Sequence, residues 1–107
     1  MVLEVIRYLI TDGKEENFET DYGKAAEYLD ASPHCLSYRL ARSGKEKNRY
    51  VMLIEWDSAG GHLQGFRQNP DFGKFFALVK PYFNMIEEME HYEHTRVKSK
   101  NVDGGEQ

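Results

Sequence analysis

The chain has 107 residues, enough for one domain with a single core. Its formal net charge is −4 and its predicted folded part has no basic cluster, which argues against a nucleic-acid-binding protein. The single cysteine, Cys35, cannot form an internal disulfide, and we find neither a signal-peptide pattern nor a long apolar span. These features predict a cytoplasmic protein that binds neither nucleic acid nor membrane.

A first strand over residues 2–11 and a helix after it are predicted from the apolar periodicity. Apolar side chains occupy both faces of the strand, which indicates burial on both sides. One face consists of Glu4, Ile6, Tyr8 and Ile10. Asp12-Gly13 ends the strand, and the apolar residues that follow recur at helical spacing. They are Phe18, Tyr22, Ala25, Ala26 and Leu29.

A hairpin of two strands, residues 34–42 and 49–57, is predicted next, because only a short polar segment separates them. In its first strand, Leu36, Tyr38 and Leu40 are predicted to share one face. The second strand is apolar on both faces. One face consists of Tyr50, Met52, Ile54 and Trp56, and the other of Val51, Leu53 and Glu55. We therefore expect helices on one face of the sheet and a second subunit on the other.

Two short helices are predicted in the second half of the chain. Ser58 is suited to cap the first helix, and Asn69-Pro70 is suited to begin the second. Aromatic residues on these helices recur at helical spacing. They are Phe66, Phe72, Phe75 and Phe76. Glycines at positions 60, 61 and 65 are expected to let this segment move as a lid.

A last strand is predicted over residues 85–97. Met85, Met89 and Tyr92 would share one face of a helix, but the acidic residues of this segment match neither the helical nor the strand period cleanly. The order of the elements therefore decides, because the preceding β-α-β-β-α series lacks one strand of a split βαβ pattern. The predicted fold is therefore α+β, a ferredoxin-like split βαββαβ with an antiparallel sheet. We predict one domain over residues 1–97 and a disordered polar tail over residues 98–107.

Several motifs in this order resemble the antibiotic biosynthesis monooxygenase-like (ABM) family, over roughly residues 2–95. They are the hairpin with Asn48-Arg49-Tyr50-Val51, the segment Ile54-Glu55-Trp56-Asp57-Ser58, the stretch Phe66-Arg67-x-x-Pro70-Asp71-Phe72 and the closing Glu90-His91-Tyr92-Glu93. The resemblance implies a homodimer joined sheet to sheet into a dimeric α+β barrel. Family members include cofactor-independent oxygenases of aromatic polyketides or quinols, haem-degrading oxygenases and proteins of unknown activity.

The haem-degrading branch of this family is not a good match. Its Asn on the first strand corresponds to Ile6, its Trp on the helix after the buried strand to Phe66, and its haem-ligating His to Phe76. These three apolar residues can neither ligate iron nor donate a hydrogen bond to bound oxygen. We therefore expect no haem.

The resemblance instead implies a cofactor-independent monooxygenase with a small aromatic ligand, such as a phenol, a quinol or a polyketide, in an apolar pocket. Such an enzyme needs a base or a hydrogen-bond donor beside the substrate. The catalytic candidates are Tyr8, Trp56 and His62, and the substrate-binding candidates are Ile6, Tyr38, Phe66, Phe76 and Tyr92. A non-catalytic module that binds a small molecule or mediates dimerisation stays open as the alternative, because fold does not dictate function.

No metal site is predicted. His91 and His94 are three apart on a predicted strand, so they point to opposite faces and cannot bind one ion. Cys35 directly follows His34, but adjacent strand residues also diverge, and we expect a buried, unreactive thiol.

Overall fold

The computed structural model describes residues 1–100 as a four-stranded antiparallel sheet with helices packed on one face. The elements are β1 (Val2–Leu9), α1 (Glu15–Asp30), β2 (Cys35–Arg42), β3 (Arg49–Trp56), a π-helix (Gly61–Phe66), α2 (Asp71–Val79), a 3-10 helix (Lys80–Met85) and β4 (Ile86–Glu93).

The strand order across the sheet is β2-β3-β1-β4, and every neighbouring pair is antiparallel. The two most apolar strands, β1 and β3, therefore lie in the centre, where both of their edges are hydrogen-bonded. In this register Glu4 on β1 is opposite Ile54 on β3 and His91 on β4. The predicted ferredoxin-like α+β fold is confirmed.

The core lies between the sheet and the helices. The even-numbered side chains of β1 and β3 are all buried, and so are the five predicted apolar residues of α1. Phe18 is fully buried at the centre, with its ring 4.8 Å from that of Tyr8 and 5.0 Å from those of Tyr50 and Tyr82. Tilted and edge-to-face contacts of this kind stabilise aromatic pairs beyond the area they bury.

The predicted face of β2 needs a correction. A bulge between Cys35 and Ser37 leaves Leu36 without a partner on β3, because one additional residue is inserted there. Cys35, Tyr38 and Leu40 consequently pack against the core, whereas Leu36 is 50% exposed. The expectation that Leu36 shares the face of Tyr38 was therefore wrong.

The final segment is a strand, as the order of the elements predicted. It runs from Ile86 to Glu93, within the predicted range of 85–97, and pairs with β1. The predicted tail, 98–107, lies largely outside the described residues, which end at position 100. Across the described part of the chain, no helix has both the length and the apolar composition needed to cross a membrane.

The sheet face opposite the helices has apolar residues at its centre. Val5 is 6% exposed, and Leu3, Val51 and Leu53 are only partly exposed on this face. Exposed apolar residues lie around them, including Leu36 and Tyr92. This arrangement supports the expectation that a second subunit covers the face.

We expect a homodimer joined through this face, burying well over the roughly 1,600 Å² of a standard interface. Leu53→Glu would place a charge at its centre, so this variant should be monomeric or aggregate in multi-angle light scattering. Leu63→Glu is the matched control, because Leu63 is 45% exposed on the π-helix, on the other side of the sheet. A folded, monomeric wild-type protein at micromolar concentration would contradict the expectation.

Candidate active site

A cavity of about 140 Å³ lies between the sheet and the helices of the second half of the chain. An apolar cavity of about 150 Å³ in a protein core can hold benzene, so this space matches one aromatic ring. Its walls come from β1, β3, β4, both α-helices and the π-helix. The lining residues are Glu4, Ile6, Tyr8, Tyr22, Leu29, Ile54, Trp56, His62, Phe66, Arg67, Phe72, Phe75, Phe76, Val79, Phe83, Ile86 and Met89.

Aromatic rings form much of the apolar wall. The ring of Phe66 lies 5.2 Å from those of Trp56 and Phe75, and Phe72 stacks on Phe76 at 5.8 Å. Ile6, Phe66 and Phe76, expected to bind substrate, all line the cavity, as does Tyr8. Their roles in binding stay predictions, because position alone does not test them.

The cavity reaches solvent at one side. Phe83 and Met89 line it and are 51% and 41% exposed, so the opening lies between the 3-10 helix and β4. A ligand can enter there without separating the sheet from α1.

A buried carboxylate lies in the cavity wall beside the polar residues His62 and Arg67. Glu4 is 2% exposed, and Trp56 Nε1 donates a hydrogen bond of 3.0 Å to its Oε1. Burial raises the pKa of Glu4, whereas the Trp56 hydrogen bond and the charge of Arg67 partly offset that rise. The carboxyl group is therefore a stronger base than an exposed glutamate and lies at the cavity wall.

His62 lies next to Glu4 and is 3% exposed. Its ring stacks on Trp56 at 4.4 Å, and its Nε2 lies 3.5 Å from Glu4 Oε1. Burial, together with the nearby charge of Arg67 and then His91, lowers the pKa of His62 to about 3. His62 is thus neutral at physiological pH, and its contact with Glu4 is not an ion pair.

The hydrogen bonds of His62 determine which of its nitrogens carries the proton. Arg67 Nε can only donate, and it lies 3.2 Å from His62 Nε2, so Nε2 must accept. The proton of the neutral ring is then on Nδ1, which lies 2.7 Å from His91 Nε2 and donates to it. Arg67, His62 and His91 thus form a directed chain of hydrogen bonds from the cavity wall to the half-buried His91.

Local backbone geometry brings His62 to this position. The Gly61 N–H donates to Ser58 Oγ at 2.8 Å, so Ser58 caps the helical segment as predicted. Farther along, the Arg67 N–H donates to the carbonyl of His62, five residues earlier, which is the π-helical pattern. Such one-turn π segments often occur at functional sites.

Two glycines of the π-helix permit close packing. A Cβ atom on Gly61 would lie 2.0 Å from Asp57 Oδ1, and one on Gly65 would lie 2.4 Å from His34 Cδ2. His34 Nδ1 is in turn 2.9 Å from Asp57 Oδ2. The sequence suggested that these glycines provide mobility, whereas the structure gives them a packing role beneath the His34–Asp57 pair.

Three potential metal ligands also meet here. Glu4, His62 and His91 each have a ligand atom within 4.8 Å of the others. His62, however, turns Nδ1 to His91 and Nε2 to Glu4 and Arg67, so one ion cannot engage all three unless the ring rotates and Arg67 leaves. We therefore interpret the group as a hydrogen-bonded network.

His91 on β4 and His94, directly after its last residue, point to opposite faces of the sheet, as their spacing predicted. His91 faces His62, whereas His94 Nε2 is 2.8 Å from Glu55 Oε2. Cys35 is only partly buried and lies beside the core rather than in the cavity. Burial raises the pKa of its thiol to about 11, which fits the expected lack of reactivity.

Two candidate residues do not reach the cavity. Tyr38 packs at the edge of the core, and its hydroxyl donates to Asp30 at 2.9 Å. Tyr92 is 42% exposed, lies opposite Leu3 on the other face of the sheet and donates to Glu88. The expectation that both face the pocket is corrected, because the register of β4 turns Met89 and His91 toward the helices and Tyr92 away from them.

Sequence reasoning missed the importance of Glu4 and Arg67. Glu4 was assigned to the correct face of β1, and an acid on a face that is otherwise apolar is itself a signal of function. Arg67 follows Phe66 directly, in the stretch Phe66-Arg67-x-x-Pro70-Asp71-Phe72, but only the π-helix turns it back onto His62. His91 was considered solely as a partner of His94.

Replacement of Phe75 and Phe76 by Ala should have different effects. Phe75 is 7% exposed and touches Tyr22 and Phe66, so its loss should cost about 3–5 kcal/mol of unfolding free energy. Phe76 is half-buried between Phe72 and the exposed Phe83, so its loss should cost distinctly less. Urea denaturation checks both variants, and equal full penalties would contradict the shallower packing of Phe76.

The stability of the fold should decrease on acidification because of His62. Below pH 6.5, the ordinary pKa of histidine, His62 binds a proton in the unfolded chain. In the folded chain the pKa of His62 is about 3, so its ring stays neutral there. Unfolding free energy should therefore fall by up to about 1.4 kcal/mol per pH unit between these values. Urea denaturation at about pH 6.5 and about pH 5 measures this slope.

His62→Gln should remove that contribution, and His94→Gln, on the other face of the sheet, should retain it. The raised pKa of Glu4 acts in the opposite direction, but Glu4 is present in both variants and largely cancels in the comparison. Identical slopes for the wild type and His62→Gln would contradict a neutral, buried His62.

Comparison with known proteins agrees with this architecture. The model of the antibiotic biosynthesis monooxygenase family matches residues 1–78. The uncharacterized protein YczJ of Bacillus subtilis (strain 168) is 26% identical over 93 residues, which cover 87% of this chain and 98% of that protein.

Solved structures give the same result. A candidate antibiotic biosynthesis monooxygenase from Bordetella bronchiseptica is 25% identical, with a TM-score of 0.73 and coverage of 88% of this chain and 96% of that one. SnoaB, a cofactor-independent oxygenase from Streptomyces nogalater, is 19% identical, with a TM-score of 0.71 and coverage of 92% and 95%. This second likeness concerns the fold alone. Since the family model matches most of the sequence, the chain belongs to the antibiotic biosynthesis monooxygenase family.

Proposed function

We propose that the protein is a cofactor-independent monooxygenase of a small aromatic substrate that carries an ionisable hydroxyl group. The observation that carries this proposal is the buried carboxylate of Glu4 at the polar end of an otherwise apolar cavity. Buried acids with raised pKa values concentrate at functional sites, because burial without function only destabilises the fold.

In the proposed reaction, Glu4 accepts the proton of the substrate hydroxyl. The guanidinium of Arg67, which lines the same cavity, stabilises the resulting phenolate. The electron-rich phenolate then reacts directly with O₂. One oxygen atom replaces a ring hydrogen and the other leaves as water, so that a phenol gives a quinone and a hydroquinone gives a hydroxyquinone. The substrate supplies all four electrons, so no external reductant is needed.

The catalytic candidates then have distinct roles. Trp56 orients Glu4 through the hydrogen bond to its Oε1, and His62 fixes Arg67 through its unprotonated Nε2. Tyr8 acts as part of the wall, because burial raises the pKa of its hydroxyl to about 12 and keeps it protonated. The apolar wall excludes water from the phenolate and so strengthens its contact with Arg67.

Oxygen uptake with hydroquinone as substrate, in metal-free buffer containing a chelator, tests this function. We expect uptake above the uncatalysed rate for the wild type and a decrease of about 10²–10⁴-fold, the usual contribution of a general base, for Glu4→Gln. Glutamine can still accept the Trp56 N–H through its side-chain carbonyl, so this substitution removes the base with little change of shape.

Glu16→Gln is the matched control, because Glu16 is exposed in the first turn of α1 and outside the cavity. It should retain full activity. An absence of uptake with hydroquinone and with a larger anthrone, in folded wild-type protein, would reject the oxygenase and favour the alternative of a non-catalytic ligand-binding module.

A further inference from the structure

The size of the cavity limits its ligand to one ring. At about 140 Å³ it is close to the roughly 150 Å³ of a core cavity that accommodates benzene. Its inner end is closed by Trp56, which is fully buried and held between His62 and Phe66. A fused ring system would have to displace these packed rings or protrude past Phe83 into solvent.

The polar end requires a group that both donates and accepts a hydrogen bond. Glu4 offers a carboxylate acceptor, and Arg67, which lines the same cavity, offers N–H donors. Glu4 Oε1 lies 3.5 Å and Arg67 Nε lies 3.2 Å from the same atom, His62 Nε2, so acceptor and donor are close together in the cavity wall. A hydroxyl group satisfies both partners at once.

The same arrangement disfavours an anionic ligand. A carboxylate has no proton to donate to Glu4, and its charge would be repelled by the Glu4 carboxylate in a low-dielectric environment. Burial favours the protonated form of Glu4, whereas the Trp56 N–H and the charge of Arg67 favour the ionised form. When Glu4 is ionised it balances the charge of Arg67, and a second negative charge has no partner.

We propose that the cavity binds neutral single-ring phenols, with the hydroxyl group between Glu4 and Arg67 and the ring against Trp56 and Phe66, and that it rejects aromatic carboxylates and fused rings. This inference deepens the proposed function by naming its substrate class and rests on it for the fate of the ligand. Ligand binding requires no turnover, so the proposed ligand class and the proposed oxygenase activity can fail separately.

Isothermal titration calorimetry under anaerobic conditions tests the selectivity, with phenol, hydroquinone, benzoate and 1-naphthol as ligands. A slightly alkaline buffer favours the ionised form of Glu4 and leaves the phenols largely neutral. We expect phenol and hydroquinone to bind with dissociation constants between about micromolar and millimolar, the range open to ligands of this size. Benzoate and 1-naphthol should each bind at least about tenfold more weakly than phenol.

The decisive variant is Glu4→Gln, which removes the charge and keeps the shape. Phenol should bind about tenfold more weakly to it, whereas benzoate should bind more tightly than it does to the wild type, because the repulsion is gone. Arg67→Gln, which also removes the Arg67 hydrogen bond to His62, should weaken both ligands. Glu16→Gln, with the same change of charge outside the cavity, should match the wild type for every ligand.

Fluorescence identifies where the ligand binds. Trp56 is the single tryptophan of the chain and lines the cavity, so its emission reports on the site directly. Phenol should change this emission with the same dissociation constant that calorimetry gives. Phenol binding that leaves Trp56 emission unchanged would place the ligand elsewhere and overturn the proposal.

Two further results would overturn the proposed ligand selectivity. One is binding of benzoate by the wild type as tightly as phenol, and the other is an unchanged preference in Glu4→Gln. Selective phenol binding without oxygen uptake would uphold the ligand class and reject the oxygenase. Oxygen uptake with hydroquinone, together with tight binding of benzoate, would uphold the oxygenase and reject the ligand class.

Discussion

The hydrogen bond from Trp56 Nε1 to Glu4 is the interaction on which the site depends. It joins the two central strands diagonally, because Trp56 is opposite Val2 in the register and Glu4 is opposite Ile54. An uncompensated buried carboxylate costs several kcal/mol, whereas a hydrogen bond to a charged group recovers about 1.5–3 kcal/mol. Glu4 therefore weakens the fold at the position where its base strength is raised, and a hydrophobic residue there would pack at lower cost.

The alternation of side chains along the strands could be predicted from the sequence, and it assigned Glu4, Ile6 and Tyr8 to the helix-facing side. The helical period likewise identified every buried residue of α1. The partners of these residues could not be predicted, because Glu4 and Trp56 are 52 positions apart and only the sheet register brings them together. Leu36 was misplaced for a related reason, since one inserted residue in a bulge reverses the alternation on one side of it.

The π-helix shows a second limit of periodicity. Ser58 signalled a helix start, but the difference between hydrogen bonds four and five residues apart is too small to be read from one short apolar pattern. That difference turns Arg67 back onto His62. Gly61 and Gly65 pack under Asp57 and His34, and the π-helix to which they belong places Arg67 in the cavity wall.

β1 connects the two surfaces on which function and assembly depend. Glu4, Ile6 and Tyr8 line the cavity, whereas Leu3 and Val5 form part of the opposite face, where a second subunit is expected. Successive side chains of a strand point to opposite faces, so neither surface shares a residue with the other. They do share the backbone of β1 and its hydrogen bonds to β3 and β4, which fix both the Glu4–Trp56 contact and the shape of the open face. A partner subunit would thus support the cavity by holding β1 in register, without contributing a side chain to it.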